Sequence, residues 1–145
     1  MCLELEIPVK RLREGARVPA YATPGAAGMD LYACLSEPMR VSPGAGALIP
    51  TGIALTIPIG YVGLVRDRSS LAIAGLYTVA GVIDSDYRGE IKIAARNAGD
   101  SELVINAGDR IAQMLLLPCP QVGLRETDEL PATRRGEGGF GSTGR

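Results

Sequence analysis

The sequence has no histidine, and that absence alone excludes the Ser-His-Asp triad, the Cys-His pair and every histidine-ligated metal centre. A hydrolase built on this chain must activate water with a carboxylate or with a metal held by other ligands. Cysteine is scarce as well. Cys2, Cys34 and Cys119 are an odd number without C-x-x-C spacing, which argues against a disulfide framework or a structural zinc site and for buried thiols in a reducing compartment. No run of 18 apolar residues occurs and no apolar segment follows a basic start, so neither membrane insertion nor secretion is expected. The expected setting is the cytoplasm, or the nucleus of a eukaryotic host. Charge of one sign is also missing: 15 Lys plus Arg face 16 Asp plus Glu, a net charge of -1. No global field draws the protein to nucleic acid or membrane, and any anion site must be local.

What is present is punctuation. Nineteen glycines and ten prolines fill about a fifth of the 145 residues, above the usual ~12% yet too little for a disordered chain. The length suits one domain with a real core. Leu3, Leu5 and Ile7 alternate with Glu4 and Glu6 as a half-buried strand would, and Pro8 ends it. Residues 11–26 read as a surface connection marked by Pro19, Pro24 and Gly25. From Val41 to Val65 short apolar stretches alternate with glycines and prolines, the pattern of an all-β sandwich or jelly roll. Arg66 to Ala72 then places two arginines and two serines at the start of one short helix ended by Gly75. Serine there is an ordinary cap, and such a start beside arginine equally suits an anion.

The chemistry concentrates between Gly81 and Glu90, Gly-Val-Ile-Asp-Ser-Asp-Tyr-Arg-Gly-Glu. Val79, Val82 and Ile83 lead in and Ile91 and Ile93 lead out, so two strands joined by a turn are expected, with Asp84, Ser85, Asp86 and Gly89 supplying the turn chemistry. Further strands are expected over 90–97, 103–105 and 110–117, the last nearly all apolar and interrupted by Gln113. A buried glutamine is either a satisfied core amide or one that faces a ligand. The chain divides into a β domain, 1–125, and an arm, 126–145, too poor in apolar residues to fold alone and expected to be mobile without a ligand. The arm holds the only phenylalanine, Phe140, among glycines. Its G-x-G-x-x-G string lacks the following helix of a dinucleotide fold, and no lysine precedes Ser142 as a Walker motif requires.

Five segments in order, Ala27 to Ala33, Arg68 to Ala72, Gly81 to Glu90, Gly108 to Met114 and Arg135 to Gly144, closely resemble the motifs of the trimeric deoxyuridine triphosphatase (dUTPase) family. The resemblance implies a distorted β jelly roll, a homotrimer with three shared sites, and Mg²⁺-assisted hydrolysis of dUTP to dUMP and pyrophosphate. In that family the first, second and fourth motifs come from one subunit, the third from a neighbour and the arm from the remaining one. By the same resemblance Asp84 would orient the attacking water, and Asp30 would hold Mg²⁺ through water. Arg68, Ser69, Ser70 and Gln113 would grip the phosphates, with Arg135, Gly139, Ser142 and Thr143 enclosing the outermost. Ala80, Gly81, Val82 and Lys92 would read uracil, Tyr87 would lie against the deoxyribose and Phe140 would stack on the base. Two positions depart from the family pattern, and the segment Val79 to Asp84 is more compact than the one that bacterial relatives often carry before their Ile-Asp pair. Asp67 replaces a common proline, its side chain expected to point away or to pair with Arg66, and Thr78 stands where some members carry asparagine. A same-fold dCTP deaminase and a non-catalytic nucleotide sensor are the rival readings.

Overall fold

The computed structural model describes residues 5–141. Among them lie twelve strands and one helix. In chain order the first strands are β1 (Val9–Arg11), β2 (Ala20–Tyr21), β3 (Met29–Tyr32), β4 (Met39–Val41), β5 (Gly46–Pro50), β6 (Ile53–Leu55) and β7 (Tyr61–Arg66). The helix α1 (Ser69–Ile73) interrupts them, and β8 (Leu76–Thr78), β9 (Val82–Ile83), β10 (Lys92–Asn97), β11 (Leu103–Ile105) and β12 (Arg110–Pro118) complete the set. The strand expected over Leu3–Ile7 is not observed. Residues 1–4 lie outside the described ones, Leu5 to Pro8 is irregular, and strand structure starts only after the proline. The connection expected over 11–26 carries the short β2 within it.

Every strand pairing is antiparallel, and only β2 and β3 pair with a neighbour in sequence. The largest sheet runs β2-β3-β12-β7-β9, a second runs β5-β10-β8, and β1-β6 and β11-β4 form two-stranded ribbons. Crossovers of this kind make the molecule a jelly roll and not a meander. The inward faces meet in one core, in which Leu31, Ile49, Ile53, Ile57, Ile91, Ile93, Ile105 and Met114 are essentially closed to solvent. β12 earns its apolar run by standing between β3 and β7.

The turn at Asp84 joins two strands, as expected, but they do not pair with each other. β9 lies on β7, with Val82 opposite Leu64 and Ile83 opposite Gly63, whereas β10 lies between β5 and β8. Gly63 is the reason β9 can come so close: a Cβ there would stand 3.2 Å from that of Ile83 and 2.6 Å from Ile57 Cδ1. The thiols also divide. Cys34 is buried, as expected of a thiol in this core, but Cys119 is exposed just past the end of β12.

Where the core meets polar chemistry, it is satisfied. Asn97, fully buried at the end of β10, donates through Nδ2 to the carbonyls of Val41 and Ser101, both at 2.8 Å, and accepts from Gly99 N at 3.0 Å. Its three bonds tie the turn after β10 to β4. Asn97→Ala leaves those backbone groups unpaired, so chemical denaturation should show a loss of about 2–4 kcal/mol; an unchanged midpoint would show that the three bonds do not hold the segments together.

Candidate active site

The register of the large sheet brings three of the sequence motifs side by side. Gln113 on β12 stands opposite Asp30 on β3 and opposite Arg66 on β7, and three residues beyond Arg66 the chain enters α1. Asp30 is buried. Its carboxylate faces two guanidinium groups, Arg68 Nε at 3.1 Å on Oδ1 and Arg110 Nη1 at 3.3 Å on Oδ2. The register slips by one between Arg110 and Ala112, a bulge of the kind that re-aims a side chain beside a site. Arg68 and Arg110 thus face the Asp30 carboxylate at the mouth of a cleft that Asp109 also lines.

A cleft of about 350 Å³ opens on this cluster, lined by Arg68, Ser70, Leu71, Val104, Ile105, Asp109 and Arg110. Ser69 and Ser70 begin α1 and are exposed. Neither is a cap. The N-cap position is Arg68, without a side-chain capping bond, so among the described residues neither hydroxyl is spent on capping α1. Gln113 is half-buried, and its Nε2 donates to the carbonyl of Asp67 at 2.9 Å. That bond commits one of its amide hydrogens.

The residues expected to carry water and base lie elsewhere. Val82, Asp84, Tyr87 and Lys92 line one pocket of about 400 Å³ together with Leu48, Ile83, Glu90 and Ile91, a size within the range of small-ligand sites. The turn is held by its own chemistry: Tyr87 N donates to Asp84 O at 3.2 Å, and Arg88 Nη1 donates to the carbonyls of Ser85 and Tyr87. Asp84 is exposed at the pocket edge. Glu90 fixes the far side, accepting from Gly52 N at 2.8 Å and Arg13 Nη2 at 2.7 Å. Tyr87 Oη donates to Glu90 O at 2.8 Å while its ring lies on Gly89, where a Cβ would stand 2.5 Å from the phenol oxygen.

Ala80 and Gly81 do not line this pocket. The Gly81 carbonyl accepts from Val65 N at 2.7 Å, so that group is spent on holding β9 to β7. Arg135 lies on the arm with Nε donating to Gly138 O at 2.8 Å, Gly139 is half-buried, and Phe140 is fully exposed with φ 50°. Residues 119–141 form no strand or helix. Ser142 and Thr143 lie outside the described residues. Sequence reasoning missed Leu48 and Glu90 as pocket residues and Arg110 as a partner of Asp30. Arg110 could have been found, since it sits inside the Gly-Asp-Arg-Ile-Ala-Gln-Met segment; Leu48 carries no local signal.

Asp67 corrects half of its expectation. The carboxylate does not pair with Arg66; it turns to β8, where Oδ1 accepts from Thr78 N at 2.7 Å and from Thr78 Oγ1 at 2.6 Å, and it does not line the Arg68 cleft. A backbone donor and a hydroxyl on one strand outcompete a guanidinium that gains more by staying in solvent. The two departures from the family pattern are therefore partners.

The jelly roll thus presents an arginine-lined cleft beside Asp30 and, separately, a pocket edged by Asp84. The chain belongs to the dUTPase family, whose model matches residues 14–144. A deoxyuridine 5'-triphosphate nucleotidohydrolase of Syntrophotalea carbinolica is 50% identical over 143 residues, 97% of each chain. One from Chlamydia muridarum is 48% identical over 138 residues, 92% of this chain and 95% of that one. A solved structure of a Staphylococcus bacteriophage 80alpha dUTPase mutant with dUpNHpp superposes with a TM-score of 0.90 at 28% identity, covering 97% of this chain and 99% of that chain. A dUTPase from phage phi11 of S. aureus, solved for the coordination of a structural Mg(II) ion, matches with a TM-score of 0.81 at 26% identity over 88% of this chain and 100% of its own.

Proposed function

We propose that this chain hydrolyses dUTP to dUMP and pyrophosphate, limiting uracil incorporation into DNA and supplying dUMP for dTMP synthesis. The observation that carries the reading is the meeting of Val82, Asp84, Tyr87 and Lys92 in one pocket of a chain that belongs to the dUTPase family over nearly its whole length. Water attacks the α-phosphorus: a new P–O bond forms, the bond to the bridging oxygen breaks, and pyrophosphate leaves. Asp84 accepts a hydrogen bond from that water and aims it. A carboxylate is a weak base at neutral pH, so alignment supplies most of its effect. Arg68, with the exposed hydroxyls of Ser69 and Ser70, takes up the charge that builds on the leaving group. Gln113 holds the Asp67 carbonyl and so the turn that carries them.

Mg²⁺ fits this donor set as a companion of the phosphates. Among the described residues no group of three or more His, Cys, Asp or Glu side chains stands ready to cage a metal, and both Asp30 oxygens already face guanidinium groups. Mg²⁺ ordinarily keeps several waters and takes one or two carboxylates plus substrate oxygens, so Asp30 would hold it through water. The ion would supply charge neutralisation across the three phosphates.

The working site is shared among three chains. The Asp84 pocket and the Arg68 cleft have no lining residue in common, which supports a site completed by other copies of the chain. One chain would give the Asp30, Arg68 and Gln113 cluster, a second the Asp84 pocket, and the third its arm, residues 126–145. Arg135, Gly139, Ser142 and Thr143 would enclose the outermost phosphate while Phe140 stacks on uracil. Ordering that arm costs conformational entropy, which the full triphosphate offsets. No described helix is long and apolar enough to cross a membrane, and a cytoplasmic or nuclear setting suits the substrate.

Pyrophosphate release from dUTP, with and without Mg²⁺ and beside a dCTP control, tests the reading. Release from dUTP supports it; ammonia from dCTP, or binding without turnover, sinks it. Sugar selection has its own test. Because the Tyr87 ring rests on Gly89, Gly89→Ala swings the phenol away from Glu90 O and opens room for a 2′-hydroxyl. The ratio of kcat/KM for dUTP over UTP should fall about tenfold, and an unchanged ratio would remove Tyr87 from sugar selection.

A further inference from the structure

We infer that Asp67 and Thr78 form a positioning clamp that sets the phosphate-gripping turn, an inference that rests on the dUTP-hydrolysing reading above. Only Asp67 and Arg68 separate the end of β7 from α1, so whatever fixes Asp67 also fixes the direction in which Arg68, Ser69 and Ser70 leave the sheet. Asp67 is held at both ends. Its carboxylate is bound to Thr78 by the two hydrogen bonds of 2.7 and 2.6 Å, and its carbonyl accepts from Gln113 Nε2 at 2.9 Å.

These bonds reach different sheets. Thr78 is the last residue of β8 and stands opposite Ala95 on β10, whereas Gln113 lies in the large sheet between Asp30 and Arg66. Asp67 thus staples the two sheets at the point where the chain turns toward the anion cleft. Both side chains are half-buried, where a hydrogen bond to a charged group is worth more than one in open water. A proline at position 67 would fix the same turn through its own backbone ring. Aspartate has a rotatable backbone instead, and here the side-chain bonds supply the missing restraint.

The clamp also settles what a carboxylate does beside a phosphate site. With Oδ1 committed to Thr78, the negative charge is turned toward a hydroxyl and an N–H on β8. Released from Thr78, the Asp67 and Arg68 backbone can rotate, and a displacement near 1 Å at reacting groups is enough to cost up to about a hundredfold in rate.

The test compares variants of the full-length assembled protein by kcat for dUTP, affinity for the non-hydrolysable α,β-imido-dUTP, inhibition by dUMP, and melting temperature. Asp67→Ala should lower kcat about tenfold to fiftyfold and weaken imido-dUTP about tenfold. Inhibition by dUMP, which lacks the two outer phosphates, should stay within about threefold. Asp67→Asn keeps the acceptor oxygen and should restore kcat to within about threefold of wild type. Thr78→Val should fall between them, Thr78→Ser should rescue it, and Asp67→Ala with Thr78→Val should be no worse than Asp67→Ala alone.

A purely structural contact would lower melting temperature, or weaken dUMP and imido-dUTP alike, with kcat per folded chain unchanged; that result overturns the clamp. Loss in Asp67→Asn as deep as in Asp67→Ala overturns it too, since charge and not geometry would then be at work. Wild-type protein that neither binds nor hydrolyses dUTP defeats the functional reading and the clamp together. Active wild type beside equally active Asp67→Ala defeats the clamp alone.

Discussion

Asp84→Asn should bind dUTP nearly as well as the wild type and lose hydrolysis by about 10²–10⁴-fold, the range that a positioned proton acceptor contributes. The reason lies in what the substitution changes and what it leaves. Asparagine is the same shape, so the Asp84–Tyr87 turn keeps its main-chain bond at 3.2 Å and the Arg88 guanidinium keeps both carbonyl partners. The pocket walls supplied by Leu48, Val82, Ile91 and Lys92 are untouched. The charge and one of two acceptor oxygens are lost, the latter replaced by an N–H donor, so the alignment of the attacking water that Asp84 is proposed to supply is weakened. Single-turnover pyrophosphate release with imido-dUTP calorimetry separates the two effects. Turnover at the wild-type rate would remove Asp84 from its role.

Arg68→Ala should lower kcat/KM about 10²–10³-fold, and unlike the Asp84 variant it should also destabilise the fold. The guanidinium does two jobs at once. Nε sits 3.1 Å from Asp30 Oδ1, and its side chain lines the anion cleft. Truncation deletes the proposed phosphate contact and leaves the buried Asp30 with Arg110 alone, at 3.3 Å. Breaking part of a largely buried ion pair in this way should cost about 1–3 kcal/mol in denaturant unfolding. Arg68→Lys should restore little, because a single ammonium cannot span carboxylate and phosphate as a planar fork does. Steady-state kinetics on the three proteins decides it: a lysine variant near wild type would mean that charge alone suffices at this position.

These expectations draw unequally on sequence and structure. Strand 103–105 and the short helix ended by Gly75 were legible because each follows from local alternation or from a local stop signal. The Asp84 turn was legible for the same reason, as was the crowding of its chemistry. Pairing was not. The run from Val79 to Ile93 looks like one hairpin, yet β9 joins β7 through the space that Gly63 leaves open, 19 residues away in sequence from Val82. Nothing within a window of ten residues encodes that contact.

The site divides along the same line. Asp30, Arg68 and Gln113 could be named from their motifs, but that Asp30 is buried between two arginines depends on the β3-β12 register and the bulge beside Arg110. Leu48 enters the pocket from β5 because β5 pairs with β10, a contact between residues more than 40 apart in the chain. Asp67 and Thr78 each looked like an isolated oddity, and only the fold shows that they bond to one another.

The central claim is that water activation and phosphate grip reach one substrate from different copies of the chain, and mixed assemblies test it most directly. Asp84→Asn and Arg68→Ala proteins, each nearly inactive alone, are unfolded together in equal amounts and refolded. If the two half-sites come from neighbouring chains, random mixing regenerates complete sites and should return about a quarter of the wild-type rate of pyrophosphate release. A mixture no more active than the two variants measured apart would place both groups in a single chain and contradict the account.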